Sequence, residues 1–208
     1  MHVADARDAE VAQRYFRPFV GRFAGCSQVL EIAAGQGFFL DMLRSASIGA
    51  IGVEADAALC EAARMRGLDV RQGDFFRFLR DCAPASFDGV MASHIVEHFL
   101  PERVEELLRL LHGAAKPGAV LVILTPNIAN MRRAVGDFWR DPTHVRPYPI
   151  SALAKLLRRT GWGDPVESFE YTDRKPSLRR AIMYRLRNLL IGRYWGGDDL
   201  CVVARKGA

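Results

Sequence analysis

The sequence lacks any run of about 18 consecutive apolar residues, the length that a membrane-spanning helix requires. It also lacks the basic start and apolar stretch of a secretory signal peptide, because acidic residues stand close to its N-terminus. Its four cysteines lie far apart without CxxC spacing, which disfavours a disulfide framework or a thiolate metal site. These absences predict a cytoplasmic protein with reduced thiols.

Acidic residues are missing from one segment. Residues 174–193 hold seven basic residues and no acid, whereas the whole chain has a net charge of only +5. The rest of the chain is therefore slightly acidic, and this distribution predicts a basic appendage on a near-neutral domain. Half of the 208 residues are apolar, so the chain can bury a full-sized core as one domain.

Alternating strand and helix patterns follow an amphipathic helix predicted over residues 4–23. The predicted strands are Gln28–Ala33, Ala50–Glu54, Asp69–Gln72, Phe87–Ser93, Ala119–Thr125, Val166–Tyr171 and Leu200–Ala204. The predicted helices are Phe38–Ser47, Ala57–Arg66, Phe75–Asp81, Pro101–Ala114 and Ala152–Thr160, the last with Ser151 as its N-cap. Repeated βα units predict an α/β, Rossmann-like, doubly wound, mostly parallel seven-stranded sheet. A long insertion within the final hairpin predicts an antiparallel last strand.

The first predicted strand ends in a turn rich in small residues, Glu31-Ile32-Ala33-Ala34-Gly35-Gln36-Gly37. Gly35 and Gly37 allow the backbone to approach a ligand closely and to adopt positive φ angles. Open α/β sheets bind ligands at the carboxyl ends of their strands. Glu31 would repel a nucleotide phosphate, and the Lys-Ser or Lys-Thr pair of a phosphate-binding loop is missing. An ordinary βα connection remains the alternative for this turn.

Acidic residues also end the next two predicted strands. Glu54, followed by Ala55, lies about 20 residues after the glycines, where a carboxylate can accept hydrogen bonds from both hydroxyls of a ribose. Asp74 can accept a hydrogen bond from an adenine amino group while Phe75 covers the ring. The alternatives are a solvated strand end for Glu54 and a helix N-cap for Asp74.

These motifs, in this order, resemble class I S-adenosylmethionine-dependent methyltransferases, whose first motif is usually acid-x-Gly-x-Gly-x-Gly. Ala33 stands where the first glycine is common, and the resemblance covers residues 28–125 and, more loosely, continues to 162. It implies S-adenosyl-L-methionine as the cofactor. The residues implied to bind it are Glu31 near the methionine part, Glu54 and Ala55 at the ribose, Asp74 and Phe75 at the adenine, and Ala33, Gly35, Gly37 and Ser93 around it.

The fourth predicted strand is followed by His94-Ile95-Val96-Glu97-His98. The same HxxEH spacing occurs in zinc proteases, but there it lies within a long helix, whereas here a buried strand precedes it and Pro101 starts a new helix. The segment resembles the Glu-His pair of ubiquinone-pathway O-methyltransferases and small-RNA 2′-O-methyltransferases, although His94 replaces a glutamate expected in the latter. That resemblance implies a divalent metal held by His94, Glu97, His98 and His144. The favoured alternative is a metal-free Glu-His pair that orders the loop.

The segment 126–150, here named the acceptor loop, contains Asp141-Pro142-Thr143-His144-Val145-Arg146-Pro147-Tyr148. This stretch resembles a motif of bacterial methyltransferases from surface-polysaccharide (O-antigen) clusters. We predict that His144 is a general base whose tautomer Asp141 holds. We also predict that Arg146 binds a phosphate or carboxylate of the acceptor, and that His98 is a further catalytic candidate.

The whole chain, 1–208, is predicted to be one methyltransferase domain with an N-terminal helical cap at 1–25 and a basic helical insertion at 173–197. Within the insertion Leu178, Ile182, Leu186 and Leu189 share a helical face, and Arg180 and Arg187 oppose it. One interpretation is a helix packed on the domain with a solvated basic face. The other is peripheral contact with an anionic inner membrane or a lipid-linked glycan through 174–193. Nucleic acid is disfavoured because no basic groove is interleaved with aromatic residues.

The sequence therefore predicts an S-adenosylmethionine-dependent methyltransferase. The predicted reaction is O-methylation of a glycan or other small acceptor, with a sugar or sugar phosphate of bacterial envelope polysaccharide biosynthesis preferred. The alternatives are an RNA ribose 2′-O-methyltransferase and a non-catalytic, cofactor-binding partner subunit.

Overall fold

The computed structural model describes residues 6–130, 133–171, 178–179, 182–183, 186 and 197–207. The strands are β1 (Val29–Ile32), β2 (Ala50–Glu54), β3 (Val70–Gln72), β4 (Phe87–Ser93), β5 (Ala115–Pro126), β6 (Trp162–Tyr171) and β7 (Asp199–Lys206). The helices are α1 (Ala6–Val20), α2 (Phe38–Ser45), α3 (Ala57–Met65), α4 (Phe75–Asp81), α5 (Pro101–Ala114) and α6 (Ile150–Arg159). Among the described residues, no helix is long and apolar enough to cross a membrane.

One seven-stranded sheet organises the fold, with the strand order β3-β2-β1-β4-β5-β7-β6. The neighbours from β3 to β5 are parallel, whereas β7 runs antiparallel to both β5 and β6. The predicted Rossmann-like sheet with an antiparallel last strand is therefore confirmed. Strands β1 and β4 are adjacent in the sheet. The chain adds β2 and β3 on the outer side of β1, and it adds the later strands on the outer side of β4. The strand order therefore reverses between β1 and β4, which is where open α/β sheets bind ligands.

Alternation along the strands produces two buried faces. In β1, Leu30 and Ile32 pack in the cluster that contains residues of α4, α5 and α6, whereas Val29 packs with residues of α1 and α2 on the other face. Strand β5 repeats the pattern, because Leu121 and Ile123 join the first cluster whereas Val120, Val122 and Leu124 join the second. Helices therefore cover both faces and leave the carboxyl edge of the sheet to carry the site.

Several predicted boundaries are wrong. Helix α6 begins at Ile150 with Pro149 as its N-cap residue and no side-chain cap, so Ser151 is not the cap. The fixed φ of proline suits the extended backbone that precedes the first turn (φ −64°, ψ 151°), and Ser151 falls inside that turn. Strands β5 and β6 both begin four residues earlier than predicted. Within the acceptor loop, the structure adds a π-helical turn at Arg133–Asp137 and a 3-10 turn at Phe138–Arg140.

Candidate active site

The small-residue turn after β1 adopts the left-handed conformation at three positions. The φ angles are 51° at Ala33, 55° at Gly35 and 72° at Gly37. A Cβ added at Gly37 would come within 2.6 Å of the Leu68 side chain, whereas one added at Gly35 would meet nothing within 4 Å. Glycine is therefore favoured at position 37 by its positive φ and because a Cβ would displace the Leu68 side chain, whereas Gly35 leaves open space. Ala33 adopts the left-handed conformation, which costs a residue with a Cβ about 1–2 kcal/mol. This cost explains why glycine is common at this position of the motif.

Glu31 lies under this turn and is buried. Its Oε2 atom has no hydrogen-bond partner within the part of the chain that the structure describes. Burial, reinforced by the Glu54 carboxylate and opposed by a backbone hydrogen bond from Leu40, raises the pKa of Glu31 well above its usual value. A buried carboxylate with an unused oxygen beside a backbone cradle suits a ligand that carries an ammonium group. The amino group of the methionine part of S-adenosylmethionine fits this requirement.

Glu54, at the end of β2, braces the same turn. Its Oε2 accepts a hydrogen bond from the Gly35 N–H at 2.8 Å, and its Oε1 accepts one from the Asp56 N–H at 2.9 Å. The side chain is half-buried and the following Ala55 is exposed. Each carboxylate oxygen can accept more than one hydrogen bond, so Glu54 can hold the turn and still accept from a ribose.

Asp74 and Phe75 lie at the start of α4, after β3. Asp74 is the N-cap of this helix, because its carboxylate accepts a hydrogen bond from the Arg77 N–H at 2.8 Å. Phe75 is half-buried and stacks on Phe76, with 4.9 Å between the ring centroids. The N-cap alternative for Asp74 is thus realised, and contacts of Asp74 and Phe75 with adenine remain predictions.

We expect S-adenosylhomocysteine to bind in the micromolar range, which corresponds to roughly −8 kcal/mol. The Glu54→Ala change should weaken this binding by about 1.5–3 kcal/mol, because the ribose hydroxyls lose a charged acceptor. Isothermal titration calorimetry measures the effect, with Glu61→Ala on the exposed side of α3 as the control. Unchanged affinity in the Glu54 variant would remove this carboxylate from the cofactor site.

The HxxEH segment follows β4 directly and lies at the carboxyl edge of the sheet. Ser93 is its last residue, and the His94 N–H continues the pairing by donating to the Leu124 carbonyl at 2.8 Å. His94 has a φ of 54°, which turns the chain out of the strand. Its Nδ1 lies 3.1 Å from Oε1 of the buried Glu97. The turn after β4 is therefore fixed by an imidazole–carboxylate contact.

Helix α1 also reaches this turn through Tyr15. The Tyr15 hydroxyl lies 2.9 Å from His94 Nε2 and donates to Asp199 Oδ2, also at 2.9 Å. This contact ties the N-terminal helix to the ends of β4 and β7. Sequence reasoning missed both Tyr15 and Asp199. The one available signal was a hydroxyl-bearing residue within the apolar stripe of the predicted first helix.

Glu97 connects the turn after β4 to the acceptor loop. Its Oε2 accepts a hydrogen bond from the Thr125 hydroxyl at 3.0 Å. Its backbone carbonyl accepts from the N–H groups of Val145 and Arg146, at 2.9 and 3.1 Å. These contacts favour the interpretation in which the Glu-His pair orders the loop.

The acceptor loop places His144 beside His98, with ring centroids 4.8 Å apart. His144 Nδ1 donates to the Phe138 carbonyl at 2.7 Å, which leaves Nε2 as the acceptor nitrogen. The prediction that Asp141 holds this tautomer is wrong, because its nearest oxygen lies 3.9 Å from Nε2. Asp141 instead accepts from the hydroxyl and the N–H of Thr143, and these hydrogen bonds lower the pKa of Asp141.

Three of the four residues predicted to bind a metal lie together. Potential ligand atoms of Glu97, His98 and His144 all lie within 4.8 Å of one another. His94 is outside this group and faces Tyr15. A carboxylate with two imidazoles suits a divalent transition metal, but both Glu97 oxygens already contact His94 and Thr125. The metal remains a prediction.

We expect methyl transfer to survive exhaustive chelation. Nε2 of His144 can accept a proton or bind a metal, but not both at once, and the contacts of Glu97 favour the metal-free arrangement. The measurement is turnover after dialysis against a chelator, with metal content determined in parallel. Loss of turnover that a divalent ion restores would contradict the metal-free arrangement and favour a metal site formed by Glu97, His98 and His144.

Arg146 presents its charge to solvent. The residue is exposed, and its guanidinium carbon lies 5.8 Å from the centre of the Tyr148 ring. Within the described residues it forms no ion pair. The hydroxyl of the buried Tyr148 donates to the Phe99 carbonyl at 2.8 Å and so anchors this part of the loop. Arg146 is therefore a cation on an anchored backbone, available to an anionic group.

The α/β sheet carries the turn at Gly35 and the carboxylates of Glu31 and Glu54 at its carboxyl edge, where open α/β sheets bind ligands. Residues 6–164 match the methyltransferase domain family. The chain therefore belongs to this family, and it forms an S-adenosylmethionine-dependent methyltransferase domain.

Individual proteins agree with this assignment. A probable S-adenosylmethionine-dependent methyltransferase of Mycolicibacterium smegmatis is 28% identical over 160 residues, which are 75% of this chain and 58% of that protein. The chain thus spans little more than half of that relative. A methyltransferase structure from Archaeoglobus fulgidus is 27% identical, with a TM-score of 0.80 and coverage of 95% of this chain and 94% of that one. Human N-acetylserotonin methyltransferase in complex with S-adenosylmethionine shares the fold at 12% identity, with a TM-score of 0.67 and coverage of 96% and 54%.

Proposed function

We propose that the protein transfers a methyl group to a hydroxyl oxygen of an anionic acceptor, and that this acceptor is a sugar or sugar phosphate of a bacterial envelope glycan. The observation that carries the proposal is that one anchored loop holds both an acceptor nitrogen on His144 and the exposed cation of Arg146, which forms no ion pair with the described residues. The His144 nitrogen can accept a hydroxyl proton, and the Arg146 guanidinium can bind a phosphate or carboxylate.

When bound, S-adenosylmethionine supplies an electrophilic methyl group on a positively charged sulfur. Transfer of that methyl group to a hydroxyl oxygen would leave a proton for the protein to remove. His144 Nε2 takes the hydroxyl proton, because its Nδ1 proton is committed to the Phe138 carbonyl. His94 is less suited to this role, since both of its ring nitrogens contact protein groups.

Positioning provides most of the expected rate enhancement, since roughly 7–11 kcal/mol is available from holding two reactants in line. The acceptor loop is suited to this task because its backbone is hydrogen-bonded to Glu97 and its Tyr148 is buried. The contact of Tyr15 with His94 extends the same support to α1. The acceptor would therefore bind against a loop whose conformation is already fixed.

The Arg146→Lys change should raise the acceptor KM about tenfold and leave kcat within about twofold. An ammonium cannot reproduce the two parallel hydrogen bonds that a guanidinium makes to a carboxylate or phosphate. The matched control is Arg140→Lys, an exposed arginine of the same loop that pairs with Asp137. Steady-state kinetics with varied acceptor separates the two constants, and an unchanged KM would remove Arg146 from the acceptor site.

The acceptor itself is tested by a screen for transfer of a labelled methyl group. Nucleotide sugars, lipid-linked glycans and RNA 3′ ends are the substrates to compare. Nucleotide sugars and lipid-linked glycans are included because the residue pattern of Asp141–Tyr148 predicts a surface-polysaccharide acceptor. Methylation of RNA alone would contradict the glycan assignment. Methylation of a carboxylate would contradict the hydroxyl, because that acceptor needs no base.

A further inference from the structure

Trp139 stands exposed on the acceptor loop. Its side chain is 60% exposed, and it is the one exposed tryptophan, tyrosine or phenylalanine among the described residues. Val135 and Val145 of the same loop are exposed as well. A tryptophan ring offers a large apolar surface, and water is an unfavourable environment for it. An exposed ring that the protein holds in place is therefore a candidate contact for a ligand.

The Trp139 ring is held by two contacts. Its Nε1–H donates to the Ala134 carbonyl at 3.1 Å, and the ring meets that of Phe138 edge to face, with 5.0 Å between the centroids. Because its one polar group is used, the ring presents carbon atoms to a ligand. Ala134 lies in the π-helical turn at Arg133–Asp137, and such turns are rare and frequently occur at functional sites. A ligand would therefore bind to a ring whose orientation is already fixed.

Phe138 connects this ring to the proposed base. The buried Phe138 ring packs against the His144 ring, with 4.5 Å between the centroids, and its carbonyl accepts from His144 Nδ1. A single aromatic ring thus separates Trp139 from His144. Arg146 follows two residues after His144 and is exposed. The exposed ring and the proposed base are separated by a distance that one hexose carrying a phosphate can span.

The chemistry of this surface favours a sugar ring. A hexopyranose has a face of C–H groups that can pack on an aromatic ring, and its hydroxyl groups at the edge stay available for hydrogen bonds. A nucleic acid is disfavoured, because single strands bind by stacking successive bases on several aromatic side chains, and Trp139 has no second exposed aromatic beside it in the part of the chain that is described. Most of the basic insertion predicted at 173–197, including Leu189, Arg180 and Arg187, lies outside the described residues.

We propose that Trp139 is the stacking surface for the sugar ring of the acceptor. This assignment rests on the proposed function in taking the acceptor to be an anionic sugar, and it adds the residue that recognises the ring. Arg146 would bind the anionic group of the same molecule, and His144 would face its reacting hydroxyl. Because stacking fixes which face of the sugar meets the protein, Trp139 also selects the hydroxyl that reaches His144.

Calorimetric binding of hexose phosphates to the full chain with S-adenosylhomocysteine bound tests the proposal. The probes are the phosphates of glucose, galactose and mannose, and glycerol phosphate has the same charged group without a ring. Trp139→Ala should weaken binding of the hexose phosphates about tenfold and leave that of glycerol phosphate unchanged. Trp139→Phe should keep most of the affinity, because phenylalanine also offers an aromatic face. Met65→Ala, which alters an exposed apolar residue on α3, is the matched control and should bind like the parent.

Tryptophan fluorescence provides a second measurement. A sugar that stacks on Trp139 should change the emission of the parent protein, whereas Trp162 is buried and should not respond. Trp139→Phe should therefore bind hexose phosphates with little change in emission. An emission change in the parent that Trp139→Phe retains in full would overturn the proposal, since the sugar would then lie at another tryptophan.

Steady-state kinetics separates recognition of the sugar from support of the loop. In Trp139→Ala the acceptor KM should rise about tenfold while kcat stays within about threefold, and affinity for S-adenosylhomocysteine should not change. A fall in kcat at constant KM would show that Trp139 only supports Phe138 and His144, which would overturn the proposal. If Trp139→Ala binds hexose phosphates fully and Arg146→Lys does not, the stacking surface is wrong and the proposed function stands. If the parent binds none of the sugars, both are wrong.

Discussion

The His144→Ala variant should lose about 10²–10⁴-fold in turnover and bind S-adenosylhomocysteine nearly as tightly as the parent protein. The loss is expected because Nε2 of His144 is the ring nitrogen left to accept a proton once Nδ1 has donated to the Phe138 carbonyl. The cofactor cradle at Glu31, Gly35 and Glu54 lies on β1, β2 and the turn between β1 and α2, so its affinity should not change. Single-turnover kinetics with the true acceptor measures the effect.

His112→Ala is the control for this experiment. His112 lies near the end of α5, where its carbonyl accepts from Lys206 and its ring packs against Trp162. That position is at the amino edge of the sheet, since Lys206 also reaches the Ala115 carbonyl at the start of β5. Its loss can lower stability and should leave turnover intact. If His144→Ala retained full turnover, the acceptor loop would be a packing element and His98 would become the base to test.

The positions of Glu31, Gly35 and Glu54 at one edge of the sheet could be predicted because their determinants are local, and their role in cofactor binding stays a prediction. Gly35 and Gly37 mark the positive φ angles, and the acids at the ends of β1 and β2 follow from the hydrophobic pattern of the strands. Adjacent parallel strands then bring Glu31 and Glu54 to one edge. The antiparallel β7 could be predicted separately, because a final hairpin interrupted by a long insertion returns the last strand in the opposite direction.

The acceptor side could be predicted only in part. The residue types of the loop indicate His144 and Arg146 as candidates. The His144 ring, however, pairs with the Phe138 backbone carbonyl, and a backbone partner cannot be recognised from residue types. A carboxylate three residues before an imidazole predicts that Asp141 orients His144, but Asp141 instead accepts a hydrogen bond from Thr143 within its own turn. The contact between Tyr15 and Asp199 joins residues 184 positions apart, a separation at which pattern and spacing carry no information.

The Glu31→Gln variant should bind S-adenosylhomocysteine more weakly by roughly 2–5 kcal/mol, which is the usual effect of removing one partner of a buried charge pair. The same change should raise the stability of the cofactor-free protein at neutral pH. The two effects have one cause, because the carboxylate is buried with an oxygen that lacks a partner within the described residues. The buried carboxylate is therefore unfavourable in the cofactor-free protein, and binding of an ammonium group removes this cost. Calorimetry and thermal unfolding of both proteins provide the comparison.

The direction of the stability effect follows from proton binding. Burial raises the pKa of Glu31 in the folded protein above its ordinary value of 4.5, so the folded state holds a proton that the unfolded state has released. The free energy of unfolding therefore falls as the pH rises between these two values. Glu31→Gln should abolish this fall, so its stabilising effect should be absent below that window and complete above it. Cofactor affinity should rise with pH through the same window in the parent protein.

Asp88→Asn gives the matched control, because it should produce the opposite result. Although burial opposes the shift, hydrogen bonds from Ser27 and Gln28 outweigh it and lower the pKa of Asp88 to about 2. Asp88 therefore stabilises the folded state at neutral pH, and this contribution disappears as the pH falls through the folded pKa. Asp88→Asn should lower stability and leave cofactor binding unchanged, since the residue lies near the start of β4, away from the carboxyl edge. If Glu31→Gln lowered stability as Asp88→Asn does and still bound the cofactor fully, Glu31 would be a structural carboxylate with no part in recognition of the methionine amino group.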